Sequence, residues 1–240
     1  MISKTLLKQT IKSNIALWVV LTGVQIFCLG SLVAAGSVPV SMTGMTYYGL
    51  LPGLITAAYL IATSNKMIAA QVDKGTMAYI LSTPVKRSKV AATQTLYFAG
   101  SLFVMFAVTA ITHMIAHYIG FGGITVSEVG TILLLNLGLF VLNLALSGIC
   151  YLASCVFNLS KNVIAVGGGI VGVFTLFSMM GMFGESFRWM RNFTIVTLFD
   201  IQSVLGGTKD FIWKFAVLAG IGVTTYLIGS VAFAKRDLPL

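Results

Sequence analysis

The sequence predicts an all-α integral membrane protein with six transmembrane helices. Of its 240 residues, 58% are hydrophobic and only 9% are charged, whereas about a quarter of the residues of a soluble domain are charged. Long uncharged runs recur along the chain, and about 20 apolar residues let a helix cross a hydrocarbon layer about 30 Å thick. Because alternating barrel-type segments are absent, such runs must satisfy their backbone hydrogen bonds within helices.

The chain is predicted to form one transmembrane domain, residues 1–240, without a separate soluble domain. Its spans are expected at about 14–36, 47–65, 90–118, 127–157, 163–184 and 211–233. A capping box at Thr125 to Glu128 predicts where the fourth helix starts. A cleavable signal peptide is the alternative for the first span, because small residues occupy 33–36. The apolar stretch before them is longer than the roughly 7–15 residues typical of such peptides.

The net charge of +9 is distributed as in a membrane protein and does not indicate a nucleic-acid partner. If the spans alternate in direction, eleven of the fifteen basic residues fall on one side. These eleven are Lys4, Lys8, Lys12, Lys66, Lys74, Lys86, Arg87, Lys89, Lys161, Lys235 and Arg236. The positive-inside rule therefore predicts a multi-pass membrane protein with both termini in the cytoplasm.

Residues 1–13 are predicted to form an amphipathic helix along the inner membrane surface. Ile2, Leu6, Leu7 and Ile11 fall on one helical stripe, and Lys4, Lys8 and Lys12 fall on another. The lysines of such a helix would lie among anionic lipid headgroups. The alternative is a basic tail that only sets the orientation of the chain.

The predicted spans carry no Asp, Glu, Lys or Arg near their middle. Buried charges usually mark the ion path of a gradient-driven transporter, so coupling to a proton or sodium gradient is not expected. His113 and His117 are the titratable candidates, one turn apart, and hydrogen bonding is favoured for them over a metal or proton role. The amides Gln25, Gln94, Asn136 and Asn143 could line a substrate path or bond to other helices, and packing is the favoured interpretation.

A charged segment at 71–89 is predicted to form a short cytoplasmic helix. Gly75 allows a turn, Thr76 is a candidate N-cap, and Pro84 ends the helix. Met77, Ile80 and Leu81 then share one apolar face, which needs either lipid or a socket in a soluble partner.

The chain lacks familiar nucleotide-binding and hydrolytic signatures. It contains no G-x-x-x-x-G-K-[ST] loop, no G-x-S-x-G and no H-E-x-x-H, so we do not expect this chain to be an enzyme or to hydrolyse ATP by the P-loop route. No bound cofactor or metal is expected in it. If ATP drives this protein, another subunit must hydrolyse it.

The string D-K-G-T-x-x-x-I-L-S-T-P-V-K-R, from Asp73 to Arg87, resembles the signature after the second helix of type 2 ABC exporter permeases. The ending F-x-K-R-D-L-P-L, from Phe233 to Leu240, is similar to the close of many such subunits from Gram-positive bacteria. The six-span layout and the N-terminal helix also match this family. Asp73 and Gln94 depart from its pattern, where a glutamate and a lysine are frequent.

The resemblance implies a half-transporter of a bacterial plasma membrane. A second permease copy, identical or a close paralogue, and two P-loop ATPase subunits would complete the complex. ATP and Mg would bind the partner ATPase. The substrate would be amphipathic: a peptide, such as an antimicrobial or cytolytic peptide, a drug or a lipid. The residues implied to couple to the ATPase are Asp73, Lys74, Gly75, Thr76, Met77, Tyr79, Ile80, Leu81, Pro84 and Arg87.

Two other functions are open on the sequence. An ATP-independent secondary transporter or channel would need a gradient-coupling site, and the uncharged spans disfavour it. A membrane-embedded enzyme such as a lipid transferase would need clustered Asp, His or Lys at one membrane face, and the sequence offers only His113, His117 and scattered outer acids.

Overall fold

The computed structural model describes residues 2–34, 38–82, 85–181 and 187–236, and in these ranges the chain is helical without β-strands. The helices are α1 (Lys4–Ala34), α2 (Val40–Thr46), α3 (Leu51–Met67), α4 (Ala69–Asp73), α5 (Thr76–Leu81), α6 (Arg87–Phe121), α7 (Val126–Val156), α8 (Ser160–Val163), α9 (Gly169–Met180), α10 (Arg188–Arg191), α11 (Ile201–Leu205) and α12 (Asp210–Lys235). A π-helical segment, Ile164–Gly168, joins α8 to α9, and a 3-10 turn, Ile195–Leu198, precedes α11.

Within the described ranges, five helical stretches are long and apolar enough to cross a membrane. They are α1, α6, α7, α12 and the continuous stretch Ser160–Met180. The pair α2 and α3 passes the same test together, although its axis bends by 46°, and would bring the number to six. The predicted fold class is confirmed: the protein is a multi-pass, all-α membrane protein.

α1 includes the predicted amphipathic segment as well as the first span. Its 31 residues measure about 46 Å at about 1.5 Å per residue, well beyond a hydrocarbon layer of about 30 Å. Leu6, Thr10 and Asn14 are buried, and the Thr10 hydroxyl donates to Gln94 Oε1 of α6 at 3.3 Å. The boundary expected near residue 13 does not separate two helices, because packing against α6 continues α1 through it.

The second span, predicted as one helix from residue 47, is instead a bent pair of helices, α2 and α3. Residues 47–50 form a turn between α2 and α3, and Tyr47 and Tyr48 in this turn are buried. Pro52 lies in the first turn of α3, where its missing N–H costs no intrahelical hydrogen bond. The apolar run that starts at residue 47 therefore follows a bend between α2 and α3, which the composition of the run does not indicate.

Two local features concern the fourth and fifth spans: the capping box at the start of α7, and the π-helical segment between α8 and α9. The capping box of α7 is confirmed: Glu128 N donates to Thr125 Oγ1 at 3.3 Å, and Thr125 N donates to Glu128 Oε2 at 2.8 Å. In the fifth span the π-helical segment carries Gly167, where an added Cβ would lie 3.0 Å from the Ala153 methyl of α7. The expected ends of the first and fifth spans, 35–36 and 182–184, lie outside the described residues.

The two ends of the bundle differ in character. Near the start of α6, Ser3 N donates to Thr93 Oγ1 at 3.1 Å, and Arg87 Nη1 donates to the Arg236 carbonyl at 2.5 Å. Both ends of the described chain therefore lie together with α4 and α5, at what we call the basic end. The opposite end, called the far end, holds the turn 47–50, the start of α7 and residues 195–214.

α7 is the central helix of the bundle. In its most apolar window 67% of the residues are buried, against 17% for α1 and 22% for the fifth span. α12, α6 and α3 pack around it, and α1 packs on the outer side of α6. The core is therefore built on α7, while few residues of α1 and of the fifth span are fully buried.

Glycines allow α7 and α12 to approach closely. A Cβ on Gly222 of α12 would lie 3.1–3.2 Å from side-chain and backbone atoms of Leu144, and a Cβ on Gly229 would lie 3.2 Å from Leu152 Cα. A Cβ on Gly148 of α7 would lie 3.1 Å from the Gly222 carbonyl oxygen. Small residues at such positions let membrane helices gain dispersion contacts that lipid cannot supply.

Gly222→Val is expected to destabilise the bundle, whereas Gly220→Val on the same helix is not. The valine at 222 would have to displace the Leu144 backbone, and overpacking of this kind costs about 1–3 kcal/mol. A Cβ at Gly220 meets no atom within 4 Å. Thermal unfolding in detergent should show a lower midpoint for Gly222→Val alone. Equal losses for both variants would contradict the close approach.

Candidate functional site

The segment between α3 and α6 is attached to α7 and to α8 by hydrogen bonds that each join a backbone amide to a side chain. Ala69 N, at the start of α4, donates to Ser154 Oγ of α7 at 3.1 Å. The Asp73 carboxylate, at the end of α4, accepts a hydrogen bond from Ser160 N of α8 at 3.2 Å. Asp73 thus links α4 to the connection between the fourth and fifth spans, a contact that its position in the sequence does not reveal.

Gly75 makes the turn into α5, as the sequence predicts. Its φ of 69° lies in the left-handed region, where glycine avoids the steric cost of a Cβ. Thr76 is the first residue of α5 and not its N-cap, which is a correction. Gly75 occupies the cap position, and the Thr76 hydroxyl instead donates to the Gln71 carbonyl of α4 at 3.1 Å.

The apolar face predicted for α5 is already partly occupied by the chain itself. Met77 is fully buried in the hydrophobic core, and Ile80 packs against that core. Tyr79 projects the other way and is 79% exposed, and Lys74 before the turn is also exposed. The side chain of Leu81 and all of Pro84 lie outside the described residues. Met77 therefore needs no socket in a partner, which corrects the expectation for this face.

Arg87 anchors the end of α12 and also carries a positive charge beside α5. Its Nη1 donates to the Arg236 carbonyl, and Arg236 Nη1 donates to the Cys155 carbonyl of α7 at 2.6 Å. These bonds satisfy carbonyls at helix ends that have no partner within their own helix. The two guanidinium groups thereby join the start of α6, the end of α12 and the end of α7.

A groove of about 660 Å³ runs beside α5 at the basic end. Its wall mixes hydroxyls, amides and apolar side chains from the first turns of α1 and from the α4–α6 segment. The lining residues are Ser3, Thr5, Leu6, Gln9, Gln71, Thr76, Tyr79, Ile80 and Val85. The exposed ring of Tyr79 and this groove form a surface that combines an aromatic side chain with nearby hydrogen-bonding groups.

The four amides singled out from the sequence are all buried within the chain. Gln25 donates to Met105 Sδ at 3.6 Å, and Gln94 accepts from Thr10. Asn143 donates to the Leu139 carbonyl of its own helix at 2.9 Å. Asn136 reaches other helices, as described next. Burial of this kind is what the packing interpretation predicts, and a role in a substrate path stays a prediction.

Asn136 belongs to a polar network at the far end that sequence reasoning did not assemble. Its Nδ2 donates to Tyr48 OH at 2.7 Å, and its Oδ1 accepts from Thr109 Oγ1 at 2.9 Å. Tyr48 OH lies 2.8 Å from His113 Nδ1, and His117 Nε2 lies 3.2 Å from Glu128 Oε1. The i, i+4 spacing of the histidines was visible in the sequence, whereas their partners come from α7 and from the 47–50 turn.

A second far-end feature is a pocket of about 240 Å³ that Tyr48 and Asp200 line together. Asp200 forms an ion pair with Lys214 of α12, and its Oδ1 accepts from Ser203 N at 3.1 Å, which caps α11. Partial burial raises the pKa of Asp200, but the Lys214 ammonium and the Ser203 amide lower it more, so the net shift is downward.

Across the described residues, no group of three or more His, Cys, Asp or Glu side chains lies close enough to hold a metal ion. The three cysteines of the chain, Cys28, Cys150 and Cys155, are free thiols. The chain matches no model of a known protein family, and no curated protein is significantly similar to it in sequence.

Met77→Ala is expected to destabilise the protein, because Met77 lies on the buried face of α5. Tyr79→Ala is expected to have little effect on stability, because Tyr79 lies on the exposed face. Truncating a buried methionine leaves a cavity and costs about 2–5 kcal/mol, whereas an exposed side chain usually contributes within about 0.5 kcal/mol. Denaturant or thermal unfolding in detergent should therefore show a loss for Met77→Ala and little change for Tyr79→Ala. The reverse order would mean that α5 packs with the opposite face inward.

The Asp200–Lys214 pair should make far-end stability depend on pH in the acid range. Because the pKa of Asp200 is lower in the folded state, its stabilising effect is complete above the unfolded value of about 4. It is lost as the pH falls through the folded value. Asp200→Asn should remove this part of the pH dependence of the unfolding temperature. The control Asp210→Asn, which replaces an exposed carboxylate, should keep the wild-type profile.

Proposed function

We propose that this chain is the membrane-spanning permease subunit of an ATP-driven exporter of the type 2 ABC class. It would couple to separate P-loop ATPase subunits that bind ATP and Mg. The observation that carries the proposal is the placement of α5. This short helix projects an exposed aromatic side chain beside a groove at the basic end, while its other face is anchored in the core.

The anchoring of α5 suits a helix that transmits force. Met77 is buried, Thr76 is bonded back to α4, and α4 is bonded to α7 and α8 through Ala69 and Asp73. A push on Tyr79 would therefore be passed to the packed core and would not simply unfold a loose loop. Packed interiors resist compression and transmit displacement to their neighbours.

The surface around Tyr79 has the composition of a protein-binding site. Tyrosine is enriched among residues that dominate binding energy at interfaces, and the groove adds Thr5, Gln9 and Gln71 as hydrogen-bonding groups. The partner proposed here is an ATPase that inserts an apolar contact around Tyr79. The surface in contact with the ATPase would extend from Gly75, at the start of α5, to the segment that follows α5.

The exposed helices support the remaining parts of the proposal. Few residues of α1 and of the fifth span are fully buried in the single chain, so lipid and a second permease copy, identical or paralogous, would cover their exposed side chains. The concentration of basic residues near α5 supports a cytoplasmic location for this end under the positive-inside rule. In a bacterial plasma membrane, the complex would export an amphipathic peptide, drug or lipid.

Tyr79→Ala is expected to uncouple the chain from its ATPase. The tagged protein would be purified in mild detergent from membranes of its own host, and co-purified P-loop ATPases would be quantified by mass spectrometry and by ATP hydrolysis. Loss of a tyrosine that dominates an interface should lower ATPase recovery at least about tenfold. Tyr118→Ala, which truncates a tyrosine 59% exposed at the far end of α6, should keep it.

Two results would contradict the proposal. One is that no P-loop ATPase accompanies the wild-type protein, and the other is that Tyr79→Ala and Tyr118→Ala behave alike. Transport of an amphipathic peptide by the purified chain in liposomes without ATP would instead support a secondary transporter or a channel.

A further inference from the structure

The two histidines of the chain are buried at the far end, one turn apart on α6. The titratable groups that surround them come from three other elements. Tyr47 and Tyr48 belong to the 47–50 turn, Glu128 belongs to α7, and Cys28 of α1 lies beside Tyr47. The Asp200–Lys214 ion pair borders the pocket that Tyr48 also lines. The hydrogen bonds of this region determine where each imidazole proton can sit.

The orientation of the Asn136 amide is fixed first. Its Nδ2 is 2.9 Å from the Ile132 carbonyl and its Oδ1 is 2.9 Å from the Thr109 hydroxyl. Rotating the amide by half a turn would place two acceptor oxygens against each other at Ile132. The remaining Nδ2 hydrogen therefore points at Tyr48 OH, 2.7 Å away.

This donation sets the state of His113. Since Tyr48 OH accepts a hydrogen from Asn136, its own hydrogen is free to be donated to His113 Nδ1 at 2.8 Å. An Nδ1 that accepts cannot carry a proton, so His113 is neutral with its hydrogen on Nε2. That Nε2 is buried and has no hydrogen-bond partner. A proton added to Nδ1 would remove the acceptor of the Tyr48 hydrogen, and Asn136 presents its donor Nδ2, not its Oδ1, to Tyr48 OH.

His117 is in a different situation, although it is equally buried. Its Nε2 faces the Glu128 carboxylate at 3.2 Å, so Nε2 carries a hydrogen and the carboxylate would stabilise a positive charge on the ring. The side chain of Glu128 is 37% exposed, which gives the His117–Glu128 contact access to solvent at the far end. His117 Nδ1 has no partner and is therefore the nitrogen that can take up a proton.

We propose that the far end contains a one-proton site, in which His117 takes up a proton beside Glu128 while Tyr48 and Asn136 hold His113 neutral. Uptake converts the buried His117 Nδ1 from an acceptor into a donor, one turn from the unpaired Nε2–H of His113. Two unpaired donors and one new positive charge then lie in the same buried region.

Nitrogen-15 NMR of selectively histidine-labelled protein in nanodiscs tests this proposal directly, because the chain has only two histidines. Between about pH 8 and 5, His113 should show the signals of a neutral ring protonated on Nε2, and only His117 should acquire the signals of a charged ring. A His117→Gln variant assigns the two sets of signals. A His113 protonated on Nδ1, or charged before His117, would overturn the proposal.

Two variant pairs test the roles of the neighbouring residues. Tyr48→Phe removes the hydroxyl that holds His113, so His113 should populate both neutral forms, whereas Tyr47→Phe should not change it, because Tyr47 OH donates to the Gln25 carbonyl. Glu128→Gln keeps an oxygen for the capping box and removes the charge, so charging of His117 should shift to lower pH. An unchanged His113 in Tyr48→Phe, or an unshifted His117 in Glu128→Gln, would contradict the assignment. The wild-type spectrum decides the matter even if a variant fails to fold.

Discussion

The close contact between α7 and α12 is the interaction on which the rest of the bundle depends. In lipid, apolar surfaces gain little by meeting each other, so helices associate through close packing and hydrogen bonds. Gly148, Gly222 and Gly229 bring the two backbones together, and the Tyr226 hydroxyl adds a hydrogen bond to Ser147 at 2.7 Å. α3 and α6 complete the core around this pair, while α1 packs outside α6 and leaves much of its surface to lipid or to a partner.

α7 runs the length of the bundle. It therefore connects the α4–α5 segment at the basic end with the histidine network at the far end. Near one end, Ser154 and Cys155 accept hydrogen bonds from α4 and from Arg236. Near the other end, Glu128 and Asn136 contact the histidines and Tyr48. Under the proposed function, a push at α5 would reach the far end through this helix. The proton site does not depend on that function, since it follows from the far-end hydrogen bonds alone.

The polar side chains in the spans show how the two regions differ. At the basic end, Ser154 accepts a hydrogen bond from an α4 amide, and Arg87 and Arg236 donate to backbone carbonyls at helix ends, which attaches α4 and the end of α12 to the core. At the far end, two buried imidazole nitrogens stay unpaired, and buried unpaired groups cost about 1–3 kcal/mol each. Unpaired buried atoms also occur at the basic end, for example Gln94 Nε2 and Arg236 Nη2, but those at the far end include imidazole nitrogens, whose hydrogen bonding changes when one proton is gained or lost.

The sequence by itself determined the all-α membrane fold, the start of α7 and the turn at Gly75, because hydropathy, capping and left-handed glycine act within a few residues. Only the tertiary structure decided that Met77 is buried while Tyr79 is exposed, that α1 has no break near residue 13, and that the second span bends before Pro52. Likewise, the sequence placed His113, His117 and Asn136 on particular helix faces but could not identify Tyr48 and Glu128 as their partners. Those partners are distant in the chain or lie across a loop, and only helix packing brings their side chains within hydrogen-bonding distance.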